Sequence, residues 1–268
     1  MSIGSIKFTS VSLIGENDKV DIIEEVKKPV QNTKHTSPYI VAYFDLLGTT
    51  KKIQCDVNDK YLNTIHKAIL YVKNLPETDS GSTFIKQFQH RIKTKIFSDN
   101  ILIAIPVEKQ EEKFEIIAAM IKIVAIVQTF LLLECDWLSR GAITSGDLFI
   151  DENFVWGKAL VNSYGFESKM AIYPRVIVDP AIMNYYHMPG QESALSFLKN
   201  WRLIEDQDGL YFVSMTSVLN TSSQFELLGK IKELCSEAHK EETDYKVIQK
   251  FDWLRKTYLS EIDNLAFQ

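Results

Sequence analysis

Two aspartates stand where a carboxylate can leave a hydrophobic core and do chemistry. Asp45 closes the apolar run YIVAYFD (39–45) and precedes LLGTTKK, a glycine turn whose backbone N–H groups suit phosphate. Asp99 falls within IKTKIFSDNILIAIP (92–106), read as two short strands joined at Ser98, Asp99 and Asn100, residue types that tolerate a tight turn. If that hairpin lies beside the first strand, the carboxylates converge. Two acidic groups with phosphate-ready amides nearby then form a site for one or two Mg2+ or Mn2+ ions. Spacing alone leaves open a plainer reading, in which Asp45 is a capping or turn residue and Asp99 a turn former.

The surrounding elements must bring these residues together. YIVAYFD is apolar without alternation, as a central strand covered on both sides reads. From Asn58 to Asn74, Tyr61, Leu62, Ile65, Ala68, Ile69 and Val72 recur at helical spacing, with Asn58 or Asp59 available as the cap. PETDSGS (76–82) reads as loop. A long helix from about Glu111 to Trp137, a strand at GAITSGDLFI (141–150), a loop around Trp156 and Gly157, a helix through Ala171 and a strand at RVIVD (175–179) follow. LYFVSM (210–215) offers a last strand before a charged helical remainder. This order predicts an α+β fold, a mixed sheet with helices mainly on one face and a helical C-terminal extension. The expected divisions are an N-terminal arm and linker at 1–37, the main domain at 38–216 and the extension at 217–268.

Composition narrows the function classes. The 268 residues are 46% apolar, enough for a sizeable core, and the net charge of -5 with scattered basic residues gives no footprint for duplex nucleic acid. Three cysteines far apart, with no CxxC, argue against a disulfide framework or a zinc site, and a cytoplasmic location is expected. The apolar stretch Ile116 to Leu133 carries Lys122 near its centre, so it is expected to be a buried helix and not a membrane span. The five histidines show no HxH or HxxxH spacing, and Ser98, Ser145 and the cysteines carry no nucleophile signature. Trp156 beside Gly157 offers an indole for stacking on a base; packing in the core is the expected alternative.

VAYFDLLGTT resembles the first metal-binding motif of the class III adenylate and guanylate cyclases, and TKIFSDNILIAI resembles their second, a hairpin with Asp at the turn. SRGAITSG is similar to the family's strand after the long helix, and VWGKALVNSYGFES to its substrate-loop segment, all in the family's order across residues 39–180. Within that superfamily the likeness is closest to the pyrimidine nucleotide cyclases of bacterial Pycsar antiphage systems, with their pattern FD..G, FSDN, RG...G and WG.AL followed by E and YPR. Here these are Phe44-Asp45, Phe97 to Asn100, Arg140-Gly141, Trp156 to Leu160, Glu167 and Tyr173 to Arg175.

The resemblance implies that Asp45 and Asp99 bind two Mg2+ or Mn2+ ions, with the Leu46 carbonyl on the second, and that the amides of Leu47, Gly48 and Thr49 cradle a triphosphate. It implies a homodimer with the active site at the interface, a cyclic pyrimidine nucleotide as product and a separate effector that senses it; UTP is expected ahead of CTP because its second keto group gives a donor-only Lys95 ammonium another acceptor. Lys95 falls where purine cyclases keep a base-reading lysine; a solvated strand residue beside Arg91 and Lys93 is the alternative. The acid those enzymes place three residues before the loop glycine is Phe154 here, which speaks against a purine. Their ribose-holding Asn and Arg, four apart, do not carry over: Asn162 is followed by Phe166, and the register on Glu167 gives Val161 and Gly165. Arg140 or Arg175 is then the candidate cation, from the same or the partner subunit. A purine cyclase, or a non-catalytic nucleotide-binding regulatory module on a cyclase-like fold, are the other readings.

Overall fold

The structure, a computed structural model, describes residues 33–74, 83–187, 190–200 and 203–265. The chain divides between His35 and Thr36, and the unit from Thr36 onward is described here. Most of the expected arm at 1–37, the loop at 76–82 and Pro189 lie outside the described residues.

The apolar run becomes strand β1 (Ser37–Leu46), in which every residue from Tyr39 to Phe44 is buried. Both its edges are paired and both its faces are packed, which is why it is apolar without alternation. On one side β1 runs antiparallel to β3 (Asn100–Pro106), which pairs in turn with β2 (Lys93–Phe97). On the other it runs antiparallel to β4 (Ser139–Ile150), whose end is folded back on by β5 (Val155–Trp156). Beyond β4 lie β6 (Val176–Val178), parallel to it, then β8 (Tyr211–Val213), antiparallel to β6, and β7 (Leu203–Glu205), antiparallel to β8. The order β2-β3-β1-β4-β6-β8-β7 makes a mixed sheet, and with its helices the fold is α+β.

One face carries Ile40, Ala42, Phe44, Ile103, Ile143 and Val178. Against it pack α2 (Lys60–Asn74), α4 (Lys113–Cys135), α6 (Pro180–Tyr186) and α7 (Glu192–Asn200). By length and apolar composition α4 could cross a membrane, but most of it is buried inside this core. Alternation sends Val41, Tyr43 and Ala142 to the other face. There α5 (Lys158–Lys169) covers β1 and β4 through Ala159.

Two long helices, α8 (Thr221–Glu241) and α9 (Tyr245–Leu265), bury Leu227, Ile231, Leu254 and Tyr258 with Ala142, Ile177 and Phe212. Arg175, 1% exposed, ties α9 down: it pairs with Asp206 and Asp208, and Trp253 Nε1 donates to Asp206 Oδ2 at 2.7 Å. Tyr173 stacks on the Trp253 ring. The expectation that Arg175 could supply a site cation is therefore corrected, because its guanidinium is committed to a buried network.

Three local expectations also change. Neither Asn58 nor Asp59 caps α2; both adopt left-handed φ, and the Asp56 carboxylate accepts from the N–H groups of Tyr61 and Leu62 at 2.9 and 3.0 Å. Helix α6 starts at Pro180 with Asp179 accepting from the Ala181 N–H, an N-cap followed by proline. The strand β7, too short to show periodicity, was not expected.

Candidate active site

The β2–β3 hairpin does lie beside β1. Its two-residue turn, Ser98 and Asp99, places Ser98 at φ 56, and the Asp99 carbonyl accepts from the Leu46 N–H at 3.1 Å. Asp45 pairs in register with Asn100 on β3 and with Arg140 on β4. Asp45 and Asp99 thus stand at one end of neighbouring strands, both partly exposed. Asn100 fixes the corner: its Oδ1 accepts from the Tyr43 hydroxyl at 2.7 Å and its Nδ2 donates to Asp99 Oδ1 at 3.2 Å. Burial, and then the charges of Glu167 and Asp45, push the Tyr43 phenol far up, so it remains a neutral donor.

Arg140 Nε donates to Asp45 Oδ2 at 2.9 Å, and another nitrogen of the same guanidinium lies 2.7 Å from Glu167 Oε1. That second approach lacks hydrogen-bond geometry, so Oε1 is buried with a charge beside it but no donor aligned on it. Glu167 is 3% exposed, and burial first, then Asp45, raises its carboxyl to about 6 against the lowering pull of Arg140. Sequence reading quoted Glu167 without giving it a role. A signal was present: the buried stripe of α5 is Ala159, Ser163 and Glu167, spaced by four, and a carboxylate on such a stripe is unusual.

Past Asp45 the chain turns at Gly48, φ 78, into α1 (Thr49–Gln54). Of the expected triphosphate cradle, the Leu47 N–H already donates to the Leu138 carbonyl at 2.9 Å. The Leu46 carbonyl accepts from the Thr49 hydroxyl at 2.8 Å. A cleft beside this turn is lined by Gly48, Lys51, Lys52 and, from α9, Lys250, together with the acids Asp136, Glu237 and Glu242, of which Glu242 pairs with Lys51. Burial and then Arg140 lower the Lys250 ammonium, a site neighbour that sequence reading missed because it lies over a hundred residues away, in the charged C-terminal helix.

Lys95 shares the Tyr43 face of the sheet, and its ammonium donates to the Glu152 carbonyl in the β4–β5 hairpin. Phe154 in that hairpin is 49% exposed and Trp156 is 70% exposed. Core packing of Trp156 is thus corrected; the buried indole is Trp137, beside Asp136 at the end of α4. Gly157, φ 146, is required where it stands, since a Cβ would meet the Asp147 carbonyl at 2.3 Å. On α5, Asn162 is exposed and Phe166 partly buried.

Asp45, Asp99 and the Leu46 carbonyl are hard oxygen donors, and the orphaned Glu167 Oε1 adds buried negative charge beside them. Among the described residues no group of three or more His, Cys, Asp or Glu side chains forms a complete cage. That donor set fits Mg2+ or Mn2+, which take one or two carboxylates and fill other positions with water and phosphate oxygens. Arg140 is the resident cation with which such an ion would compete.

The fold is α+β, and Asp45 and Asp99 stand at one end of its mixed sheet. No protein-family model matches the chain, and no curated protein matches it. Among solved structures, the adenylyl cyclase CyaB from P. aeruginosa aligns with TM-score 0.44 and 11% identity, over 67% of this chain and 94% of that one. The catalytic core of a rhodopsin-guanylyl cyclase with converted specificity, in complex with ATPalphaS, aligns with TM-score 0.41 and 13% identity, over 57% and 83%. The guanylyl cyclase Cya2 aligns with TM-score 0.33 and 12% identity, over 56% and 78%. Nothing about activity follows from likeness at these values, so the functional reading rests on the site's own residues.

Proposed function

We propose that the protein is a metal-dependent nucleotide cyclase that converts a pyrimidine ribonucleoside triphosphate, UTP in preference to CTP, to its 3',5'-cyclic monophosphate and pyrophosphate. The observation that carries this is the junction of two carboxylate-bearing strand ends, with the Leu46 N–H held by the Asp99 carbonyl at 3.1 Å. Asp45, Asp99 and the Leu46 carbonyl would hold two Mg2+ or Mn2+ ions. When bound, those ions lower the pKa of the ribose 3'-hydroxyl and offset charge on the phosphate oxygens. The 3'-oxygen bonds to the α-phosphorus, its proton goes to solvent, and the bond to the β-phosphate bridging oxygen breaks, releasing pyrophosphate.

The chain's own groups set orientation and charge. Gly48 and Thr49 amides meet the phosphate chain as it leaves the carboxylates, with Lys51, Lys52 and Lys250 along the adjoining cleft. Lys95 reads the 2-keto oxygen of the base by exchanging it for the Glu152 carbonyl, and Phe154 supplies an apolar neighbour where a purine reader needs an acid. UTP is favoured because its second keto group gives a donor-only ammonium another acceptor.

The active unit is a homodimer, supported by the exposed Phe154, Trp156, Val161 and Tyr164 on the β4–β5 hairpin and α5. Its role is alarm-signal synthesis in antiphage defence, read by a separate effector. A non-catalytic nucleotide-binding module is the second reading, favoured by the Arg140 contact that occupies Asp45. Incubating the protein with each triphosphate and Mn2+ and identifying products by mass separates the two: a cyclic nucleotide supports catalysis, and unchanged triphosphate contradicts it.

A further inference from the structure

Arg140 serves two carboxylates through two different nitrogens. Nε holds Asp45 Oδ2 at 2.9 Å, and the terminal nitrogen sits 2.7 Å from Glu167 Oε1. The two partners differ in access: the Asp45 side chain is 20% exposed, whereas Glu167 is 3% exposed. An incoming cation meets the more exposed Asp45 carboxylate first. The backbone of Arg140 has no freedom to follow a partner, because the next residue, Gly141, presses so closely on β1 that a Cβ would lie 2.0 Å from the Tyr43 carbonyl oxygen. Any exchange of partner is therefore a side-chain rotation about a fixed strand.

We propose that Glu167 is a positioning residue that anchors Arg140 as an exchangeable counter-cation: Arg140 neutralises Asp45 until a divalent cation takes that carboxylate, then stays on Glu167 and turns its freed N–H toward the phosphate. The inference rests on the metal-dependent reading above. It accounts for the Glu167 oxygen that has a charge beside it and no aligned donor, since a guanidinium that pivots off Asp45 can square up to Oε1. It also supplies a substrate-facing arginine on β4, where the Asn162 and Phe166 spacing offers none on α5.

The test is Mn2+ binding to the full chain without nucleotide, read as free Mn2+ by electron paramagnetic resonance. For this partly buried pair the expected change is roughly 3- to 10-fold, which corresponds to about 0.7–1.4 kcal/mol. Arg140→Gln is expected to tighten Mn2+ by that factor, because the competitor is gone. Glu167→Gln is expected to weaken it, because Arg140 then rests wholly on Asp45. In the double variant, Glu167→Gln should change affinity less than about twofold. Should it still weaken binding threefold or more without Arg140, Glu167 acts on the metal directly and the anchor is wrong. Arg140→Lys keeps the charge and should fall back toward wild type; binding as tight as Arg140→Gln overturns the inference. Mn2+ binding that Asp45→Asn does not reduce overturns the metal-dependent reading and this inference with it. Asp45-dependent binding that Arg140→Gln leaves unchanged or weakens overturns this inference alone.

Discussion

Arg140 Nε lies 2.9 Å from Asp45 Oδ2 across the β1–β4 pairing, so the carboxylate assigned to the metal is held by a cation of the neighbouring strand. The contact holds the Asp45 carboxylate against Arg140 at the strand end. It also makes the two aspartates unequal, since the Asp99 carboxylate accepts from the neutral Asn100 amide at 3.2 Å, while its carbonyl accepts from the Leu46 N–H.

Asp45→Asn and Asp99→Asn should both abolish cyclisation while leaving the fold intact. Asp99→Asn should cost less than about 1 kcal/mol, and Asp45→Asn about 1–3 kcal/mol because it removes a charge-assisted bond to Arg140. Thermal melts followed by circular dichroism check this; a variant with near wild-type turnover in Mn2+ contradicts the two-carboxylate site.

The Arg175 network should be worth at least as much as any contact at the site. Arg175→Met removes the cation from Asp206, which keeps its bond from Trp253, and from the half-exposed Asp208, and should destabilise by about 2–3 kcal/mol, against a smaller loss for Trp253→Phe. Urea unfolding measures both, and equal losses would show that the Arg175 pairs add nothing.

Glu112 carries a pH signature of its own. Hydrogen bonding to Arg91, followed by bonds from the backbone of Lys109 and Glu108, holds its carboxyl down to about 2 from 4.5. A folded pKa below the unfolded one gives stability present above pH 4.5 and lost as pH falls toward 2. The melting-temperature gap between wild type and Glu112→Gln should therefore be full at neutral pH and close across that window; a gap independent of pH contradicts the pair.

How much of this was legible depended on distance along the chain. Tyr39 to Asp45 showed a central strand because burial on both faces leaves no alternation, and the two short runs meeting at Ser98 and Asp99 showed their hairpin through local turn chemistry. Which strands became neighbours was not local information. Arg140 meets Asp45, and Lys250 approaches both, only through pairing and helix packing set by the whole core. Glu167 left a trace, an acid on the buried stripe of α5, but its partner on β4 could not be read from spacing. Trp156 misled because apolar size predicts burial on average, and nothing local marks an exposed indole.

The exposed hairpin and α5 residues should matter through association. Trp156→Ala should weaken the homodimer by about tenfold or more, as truncation of a large aromatic at an interface does, and activity should fall in parallel with dimer content. Light scattering across a dilution series checks it; fully active monomer would contradict an active site shared between subunits.

The most direct test is a competition among ATP, GTP, CTP and UTP at equal concentration with excess Mn2+, comparing wild type with Asp99→Asn and identifying products by mass. The expected result is 3',5'-cUMP as the main product with pyrophosphate in equal amount, cCMP second, and neither from Asp99→Asn. Recovery of all four triphosphates unchanged from the wild-type protein, or a cyclic product that Asp99→Asn still makes at the wild-type rate, would contradict a cyclase built on Asp45 and Asp99.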